Sequence, residues 1–295
     1  MSFRLFIYYC AVCGGWAAFL AWGIAQAIGF RHVSNLYLRT TLIAGILGMF
    51  VAAAIGAVDA MLNAVGSQRF VRVGVCLGVG LLGGMIGGFV GEFLHSVLHF
   101  PVFIGWILTG IGIGVSLGIF DLLRSWRTRG DTRVPLKKTL NGVYGGLLGG
   151  FLGGLPFGLL MGTTSIPRTD LAISLVVLGV CIGLLIGLAQ VFLKEAWLKV
   201  AQGLRPGREL LLSKDETTIG RAESCDLGLF GDNTIERLHA RILLQNQRYL
   251  LADAGTSGGT FLNEERIDEP TPLKSGDKIR VGNSVIEFGE RQKRK

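Results

Sequence analysis

Three ionisable side chains share one face of an otherwise apolar segment. Glu92, His95 and His99 follow one another at offsets of three and four, which a helix places on one side. Carboxylate and imidazole groups at this spacing suit two kinds of chemistry, metal binding and proton relay. An apolar run that begins at Val73 has used about 20 residues by Phe93, so Glu92 and His95 lie at the edge of any membrane span. They are candidate functional residues, and no metal site is assigned to them.

Two aspartates form a second candidate. Asp59 and Asp121 lie near the ends of two other apolar stretches. A charge inside lipid is costly, and it is kept either for function or for pairing with an opposite charge. Arg69 and Arg124 are near enough in sequence to pair with the two carboxylates, and a functional acid pair is the other interpretation.

Motifs for catalysis are absent from the sequence. Of the five cysteines, Cys10 and Cys13 form a C-x-x-C pair, but the pair lies in an apolar run where cysteine behaves as a small hydrophobe. The sequence contains no Walker loop, no nucleophile elbow and no H-E-x-x-H helix. We therefore predict neither an enzyme nor a cofactor-binding protein.

The composition divides the chain near residue 204. Hydrophobic residues make up 50% of the 295 residues and charged residues only 17%, which excludes a disordered protein. The part before residue 204 holds 35 of the 45 glycines, with 14 basic and 6 acidic residues, whereas the part after it holds 15 of each. The net charge of +8 therefore belongs to the first part, where it indicates orientation in a membrane rather than nucleic-acid binding.

The first part has six apolar stretches of the length that crosses a bilayer, which is about 20 residues. The predicted spans are 5–29, 41–62, 73–93, 102–123, 140–162 and 171–193. Six spans place both termini on one side. That side carries eleven basic residues, Arg4, Arg69, Arg72, Arg124, Arg127, Arg129, Arg133, Lys137, Lys138, Lys194 and Lys199, against Arg31, Arg39 and Arg168 in the opposite loops. We therefore predict a multi-pass protein of the inner (plasma) membrane with both termini in the cytoplasm.

The spans also repeat. The run GLLGGMIGG at 80–88 returns 66 residues later as GLLGGFLGG at 146–154. Spans two, four and six align Gly48 with Gly110 and Gly179, Gly56 with Gly118 and Gly187, and Asp59 with Asp121 and Gln190. Equivalent spans start from the same side, which predicts a parallel repeat. Glycines at a spacing of four let a second helix approach closely, so these stripes predict packing within the bundle or in a homo-oligomer, and a transport pathway is the alternative.

After residue 207 the sequence changes to short β-forming runs separated by polar turns. The predicted strands are 209–212, 217–219, 226–229, 239–244, 248–252, 278–281 and 285–288. Many short strands within about 85 residues indicate a small all-β sandwich. Residues 194–199, which include Trp197, have the pattern of a helix that leaves the membrane, and 204–207 break it.

Four motifs in this region carry a family resemblance. They are TIGR at 218–221, IERLHA at 235–240, DAGTSGGTFLN at 253–263, and LKSGDKI at 273–279 followed by VG at 281–282. In order and spacing they resemble the forkhead-associated (FHA) domain family over residues 207–290. The resemblance implies a β-sandwich whose loops at one end bind phosphothreonine peptides without catalysis.

The resemblance also implies roles for single residues. Arg221 matches the arginine that these domains direct at the phosphate, where a guanidinium donates two charge-assisted hydrogen bonds. His239 matches a histidine that braces the loops, and Ser257 a position whose hydroxyl reaches the peptide. The other implied loop residues are Arg237 and Thr256 for binding, and Gly220, Gly259 and Thr260 for loop shape.

Two positions depart from the family pattern. Glu236 stands where the family has a serine that donates to phosphate, and Gly258 stands where it has an asparagine that fixes the peptide backbone. A carboxylate repels phosphate and is able to pair with Arg221 instead. Loss of one charge-assisted bond costs about 1.5–3 kcal/mol, which is roughly a factor of ten to over a hundred in affinity. We predict a degenerate phosphate site in which Glu236 stands in for the ligand charge.

The sequence thus predicts a glycine-rich six-span bundle at 1–193, a juxtamembrane linker at 194–206, an FHA-like sandwich at 207–290 and a basic tail at 291–295. The expected function is to recruit or sense a (phospho)protein partner in Ser/Thr-kinase signalling. The alternative is a small transporter or channel that is built from the repeats and regulated by the FHA-like domain. The expected partners are a phosphothreonine-containing protein, the lipid bilayer and a second copy of the chain, without nucleic acid.

Overall fold

The computed structural model describes residues 2–63, 68–127, 132–161, 168–194, 196–203, 206–212, 216–245 and 248–291. Several residues of the predictions above lie outside the described residues, namely Arg129, Glu195, 204–205, 246–247, 292–295 and the side chains of Arg31, Arg124, Arg127 and Arg168. The chain divides into a helical unit, 4–60 with 70–193, and a second unit formed mainly by 194–295.

Six helices make up the described part of the helical unit. They are α1 Phe3–Ile28, α2 Leu36–Asn63, α3 Gln68–Leu98, α4 Phe103–Arg127, α5 Arg133–Met161 and α6 Arg168–Phe192. Each overlaps one predicted span. Within the described residues, five of them are long and apolar enough to cross a membrane, and α5 is not among the five. The prediction of six apolar stretches is thus confirmed for five helices, and the sixth span, at α5, stays a prediction.

Close backbone contacts at glycine hold neighbouring helices together. A Cβ added to Gly80, Gly146 or Gly179 would lie only 2.0–2.4 Å from a carbonyl oxygen of the facing helix. The facing glycines are Gly48 for Gly80, Gly110 for Gly146, and Gly14 for Gly179. Only glycine fits at such a distance, so α2 packs on α3, α4 on α5 and α6 on α1. These glycines are thus occupied by contacts within the unit.

The second unit is a sandwich of two β-sheets. Its strands are β1 Ala196–Gln202, β2 Glu209–Leu211, β3 Glu216–Gly220, β4 Leu227–Gly228, β5 Ala240–Gln245, β6 Arg248–Asp253, β7 Thr260–Leu262, β8 Glu265–Arg266, β9 Thr271–Pro272, β10 Lys278–Val281 and β11 Ser284–Glu290. One sheet has the order β2-β1-β11-β10-β7-β8 and the other the order β4-β3-β5-β6-β9. Fully buried side chains such as Leu198, Ile219, Leu251, Ile279 and Phe288 form the core. The predicted all-β sandwich is confirmed.

Strand β1 corrects the prediction of a helix at 194–199. It lies between β2 and β11, and Ala196, Leu198 and Val200 are buried at alternate positions, as a strand requires. Trp197 is not a membrane anchor in this arrangement, because it is paired with Gly289 of β11 and its indole lies where a Cβ on Gly289 would be. The stretch predicted as a linker, 194–206, therefore supplies a central strand of the sandwich.

Candidate functional site

Hydrogen bonds join three loops of the β-sandwich. They are the loop after β3, which carries Arg221, the loop between β4 and β5, which carries Glu236, and the loop between β6 and β7, which carries Ser257. The backbone N–H of Arg221 donates to the carbonyl oxygen of Glu236 over 2.8 Å. The structure therefore brings together the loops that the sequence motifs singled out.

Glu236 uses its carboxylate to hold the next loop. Its Oε1 accepts hydrogen bonds from the backbone N–H of Ser257 at 2.9 Å and from the Ser257 hydroxyl at 3.2 Å. The carboxylate thus occupies both donors that an anionic ligand would receive from Ser257. Glu236 does not form the pair with Arg221 that its charge allows, because Ser257 offers its carboxylate two donors at one oxygen.

Arg221 keeps an exposed guanidinium beside these loops. Its Nη1 donates to the neutral Oδ1 of Asn233 over 3.1 Å, and no carboxylate in the described part of the chain forms an ion pair with it. Gly220 permits the close loop approach here, since a Cβ would lie 2.4 Å from the carbonyl oxygen of Arg237. The side chain of Arg237 is exposed as well. Asn233 carries no motif signal, and sequence reasoning missed it.

His239 lies beneath the loops and is fully buried. Its Nδ1 accepts a hydrogen bond from the backbone N–H of Glu236 at 3.2 Å, so the proton is on Nε2, which donates to the carbonyl oxygen of Gly259 at 3.1 Å. One imidazole thereby fixes the loop of Glu236 relative to the loop of Gly259. This geometry is that of a brace and not of a ligand contact.

Asp253 organises the β6–β7 loop and was missed as a site residue. Its Oδ2 accepts from the backbone N–H groups of Gly255 and Thr256 at 2.8 Å each. Its Oδ1 accepts from the hydroxyls of Thr256 at 2.9 Å and Thr260 at 2.6 Å. Burial raises the pKa of Asp253, but these hydrogen bonds outweigh it and leave the pKa below its ordinary value. An aspartate two residues before a glycine is the signal of an Asx turn, which could have revealed this role.

The two adjacent glycines of this loop differ in what they permit. Gly259 has a φ of +67°, and a Cβ there would lie 2.7 Å from Nε of Arg266. A Cβ on Gly258 would meet only His239 and Thr234, both at 3.9 Å. Position 258 therefore has space for a Cβ, whereas position 259 requires glycine.

Asp59 and Asp121 belong to a buried cluster of four charges in the helical unit. Asp59 Oδ2 lies 2.9 Å from Arg72 Nη1 and 2.9 Å from Lys138 Nζ. Asp121 contacts Arg72 Nη2 through Oδ1, and its Oδ2 lies 3.2 Å from Lys138 Nζ. Each helix from α2 to α5 contributes one member, and none of the four is more than 6% exposed. The cluster is electrically neutral.

The cluster has a partial equivalent in α1 and α6. Arg72 and Lys138 are 66 residues apart, the spacing of the glycine runs, and the position 66 residues before Arg72 is the buried Phe6. On the acidic side Gln190 aligns with both aspartates, and its Nε2 donates to the backbone carbonyl of Lys138 at 3.0 Å. Arg69 and Arg124 were the partners expected from the sequence, where Arg72 and Lys138 counted only as cytoplasmic charge. The structure shows Arg72 and Lys138 as partners of the two aspartates. The common spacing of 66 was the signal that could have identified them.

Glu92 and His95 line a cavity elsewhere in the helical unit, with a volume of about 410 Å³. The imidazole of His95 is bonded through Nδ1 to the carbonyl oxygen of Phe100 over 2.8 Å. His99 follows the helix with a φ of +56° and is not part of the cavity wall. Among the described residues, no group of three or more His, Cys, Asp or Glu is placed to hold a metal ion.

Comparisons with known proteins concern the sandwich. A family model of the FHA domain matches residues 217–282, and the N-terminal part has no family match. The glycogen accumulation regulator GarA of Mycobacterium tuberculosis is 33% identical over 94 residues, which are 32% of this chain and 57% of GarA. The FHA domain-containing protein FhaB of the same organism is 30% identical over 106 residues, which are 36% of this chain and 68% of FhaB.

A solved FHA domain is also similar in sequence to the sandwich. The FhaA FHA domain, solved in complex with the intracellular domain of another protein, is 31% identical, with a TM-score of 0.29, and the match covers 32% of this chain and 98% of that chain. The chain thus spans little more than half of GarA, and the matches to GarA, FhaB and FhaA cover about a third of this chain. Through its C-terminal sandwich, the chain belongs to the FHA domain family.

Proposed function

We propose that the sandwich recruits or senses a phosphothreonine-containing protein in Ser/Thr-kinase signalling. The observation that carries the proposal is the exposed guanidinium of Arg221, which lies at the joined loops without a carboxylate partner in the described part of the chain. A guanidinium that is free of carboxylate donates two charge-assisted hydrogen bonds to a phosphate. FHA family membership supports the same class of ligand.

Glu236 sets the strength of this recognition. A phosphate that reaches Ser257 has to displace the Glu236 carboxylate from the backbone N–H and the hydroxyl. Replacing one charge-assisted bond and opposing a like charge reduces affinity by roughly a factor of ten or more. The native domain is therefore a weak phosphopeptide binder, and it becomes stronger when the carboxylate is removed.

The experiment is capture of partners from cytosolic extract by immobilised residues 194–295, with and without prior phosphatase treatment. We expect a protein that is retained only from the untreated extract, retained more strongly by Glu236→Ser, and lost with Arg221→Ala. Equal retention after phosphatase treatment would count against phosphate recognition. Loss with Arg248→Ala, at an exposed position of β6 outside the three loops, would indicate general damage instead.

The helical unit anchors this module in the plasma membrane, with both termini in the cytoplasm. Six helices, five of which have the length and apolar character to cross a membrane, support a multi-pass anchor, and six crossings would place both termini on one side. Arg72 and Lys138 belong to the buried cluster of four charges, which we call the ion cluster, so we leave them out of the count of loop charges. Nine basic residues then remain on the side of the termini and three in the opposite loops, which still favours cytoplasmic termini. Protease protection of a C-terminal tag in sealed inverted and right-side-out vesicles tests this orientation. Digestion only in inverted vesicles is the expected result.

Transport by the helical unit is a second candidate function. It is favoured by the burial of four charges among α2, α3, α4 and α5, together with a cavity in the same unit. The test is proton flux into proteoliposomes, followed with a pH-sensitive dye under a potential. Flux that is present in the native chain and lost in Asp59→Asn supports transport, and equal leakage in empty liposomes contradicts it.

A further inference from the structure

The cavity of about 410 Å³ lies at the end of the helices opposite to the ion cluster. Its wall includes Ala44 of α2, Trp106 of α4 and Leu175 of α6. Each of these residues precedes the cluster position on its own helix, Asp59, Asp121 or Gln190, by fifteen residues. Fifteen residues of helix measure about 22 Å, so the two features occupy opposite ends of the unit. The volume is within the range of pockets that take small molecules, about 300–1,000 Å³.

Most of the cavity wall is apolar. Residues such as Ile43, Val102, Trp106, Leu171 and Leu175 line it, from α2, the start of α4 and α6. The glycines Gly88, Gly91 and Gly105 add surface without side chains. An apolar wall of this kind favours an apolar body in the ligand, because burial of apolar surface is worth about 25 cal/mol per Å².

Two opposite charges interrupt this wall. Arg39 of α2 and Glu92 of α3 both line the cavity, and both are partly buried. In the described part of the chain, neither side chain forms a hydrogen bond or an ion pair. This differs from the buried cluster of Asp59, Arg72, Asp121 and Lys138, in which each charge contacts two opposite charges. A charged group in apolar surroundings is costly unless it is paired, so these two partly buried side chains favour a ligand that pairs with both.

We propose that this cavity binds a zwitterionic amphiphile. Its apolar body lies against the wall, its anionic group accepts hydrogen bonds from the Arg39 guanidinium, and its ammonium group donates to the Glu92 carboxylate. A purely anionic amphiphile is repelled by Glu92, a purely cationic one is repelled by Arg39, and a neutral one leaves both charges unpaired. An amino phospholipid and a free apolar amino acid share the required chemistry, and the experiment distinguishes these two sources.

The experiment uses the full chain, purified in detergent, and measures the midpoint of thermal unfolding as ligand is added. The probes are dioleoyl phosphatidylethanolamine, dioleoyl phosphatidylglycerol with the same acyl chains and a net negative head, and L-leucine. We expect saturable stabilisation by phosphatidylethanolamine and a much smaller effect of phosphatidylglycerol. Saturable stabilisation by leucine alone would identify a free amino acid as the source. Equal effects of the two lipids, with none from leucine, would overturn the proposal.

Substitutions of Arg39 and Glu92 test whether these two charges cause the stabilisation by ligand. Arg39→Gln and Glu92→Gln are expected to raise the half-saturating concentration about tenfold or more, since each removes one charge-assisted bond. Arg39→Lys keeps the charge and retains binding, which separates loss of recognition from loss of folding. Arg4→Gln is the matched control, because Arg4 is exposed and is not part of the cavity wall. Unchanged binding by both neutral variants would overturn the proposal, as would an equal loss in Arg4→Gln.

Discussion

The carboxylate of Glu236 holds two of the three joined loops together. Glu236 lies where it holds Ser257 through two hydrogen bonds, and it thereby keeps the β6–β7 loop in place without a ligand. Arg221 remains directed to solvent and neutral Asn233. The carboxylate thus occupies part of the site, and this is the basis of the weak phosphate binding that we propose.

The stability of the sandwich should decrease at acid pH, because carboxylates hold its loops in place. Hydrogen bonds leave the pKa of Asp253 below its ordinary value of 3.8, and hydrogen bonds from Thr234 lower the pKa of Asp232 as well. A lowered folded-state pKa contributes stability above the ordinary pKa, and this contribution is lost as the pH falls below it. We expect the urea midpoint of residues 194–295 to fall below about pH 3.8. Asp253→Asn should be less stable at pH 7 and show a shallower acid dependence, and an unchanged slope would contradict the assignment.

The loop glycines give a matched pair of substitutions. Gly259→Ala forces a side chain into a left-handed backbone and against Arg266, so we expect a loss of about 1–3 kcal/mol in the free energy of unfolding. At position 258 a Cβ has space and the backbone is not left-handed. Gly258→Ala should therefore change the free energy of unfolding by no more than about 0.5 kcal/mol. Urea unfolding of the two variants of residues 194–295 measures both. Equal losses would contradict the loop geometry described here.

At the scale of elements, the sandwich depends on a strand that precedes the FHA motifs. β1 pairs with β11 on one side and β2 on the other, and it buries Leu198 and Val200 in the core. Burial of each such side chain contributes about 1.5–3 kcal/mol, whereas a whole domain is stable by about 5–15 kcal/mol. A fragment that starts at residue 205 should therefore unfold or aggregate, while residues 194–295 fold. Circular dichroism and urea unfolding of the two fragments test this, and equal stability would show that β1 is dispensable.

Helices and strands could be predicted from the sequence where the hydrophobic pattern covers enough residues to show its period. The six helices and the longer strands follow from apolar runs and alternation. Strands β7, β8 and β9 have two or three residues each, too few to show a period. β1 was missed because Trp197 next to an apolar helix has the composition of a membrane anchor, although its alternation was visible.

Some site residues could be predicted from the sequence, and others could be identified only from the structure. Arg221, His239 and Ser257 followed from the motifs, because FHA loops have a recognisable spacing. The bond between Glu236 and Ser257 is a contact between distant loops, and it required the fold. Arg72 and Lys138 were hidden for another reason, because a cation near the end of a span has the same local pattern whether it is exposed or paired inside.

At the scale of the whole molecule, the helical unit is held by glycine contacts and by one neutral ion cluster. Removal of a single partner leaves an unpaired buried charge, which costs about 3–5 kcal/mol. Asp59→Asn should therefore lower the thermal midpoint of the full chain in detergent strongly. Adding Lys138→Met removes the matching cation and should recover part of the loss. Strictly additive losses in the double variant would contradict a coupled cluster, and Arg4→Gln serves as the exposed control.

The central claim is that the sandwich recognises phosphothreonine through Arg221 and that Glu236 weakens this recognition. The direct measurement is titration of residues 194–295 with a degenerate peptide pool that has phosphothreonine fixed at its centre, and with the same pool carrying threonine. We predict weak binding of the phosphorylated pool only, at least tenfold tighter binding by Glu236→Ser, and no binding by Arg221→Ala. Equal binding of the two pools, or unchanged affinity in Glu236→Ser, would contradict it.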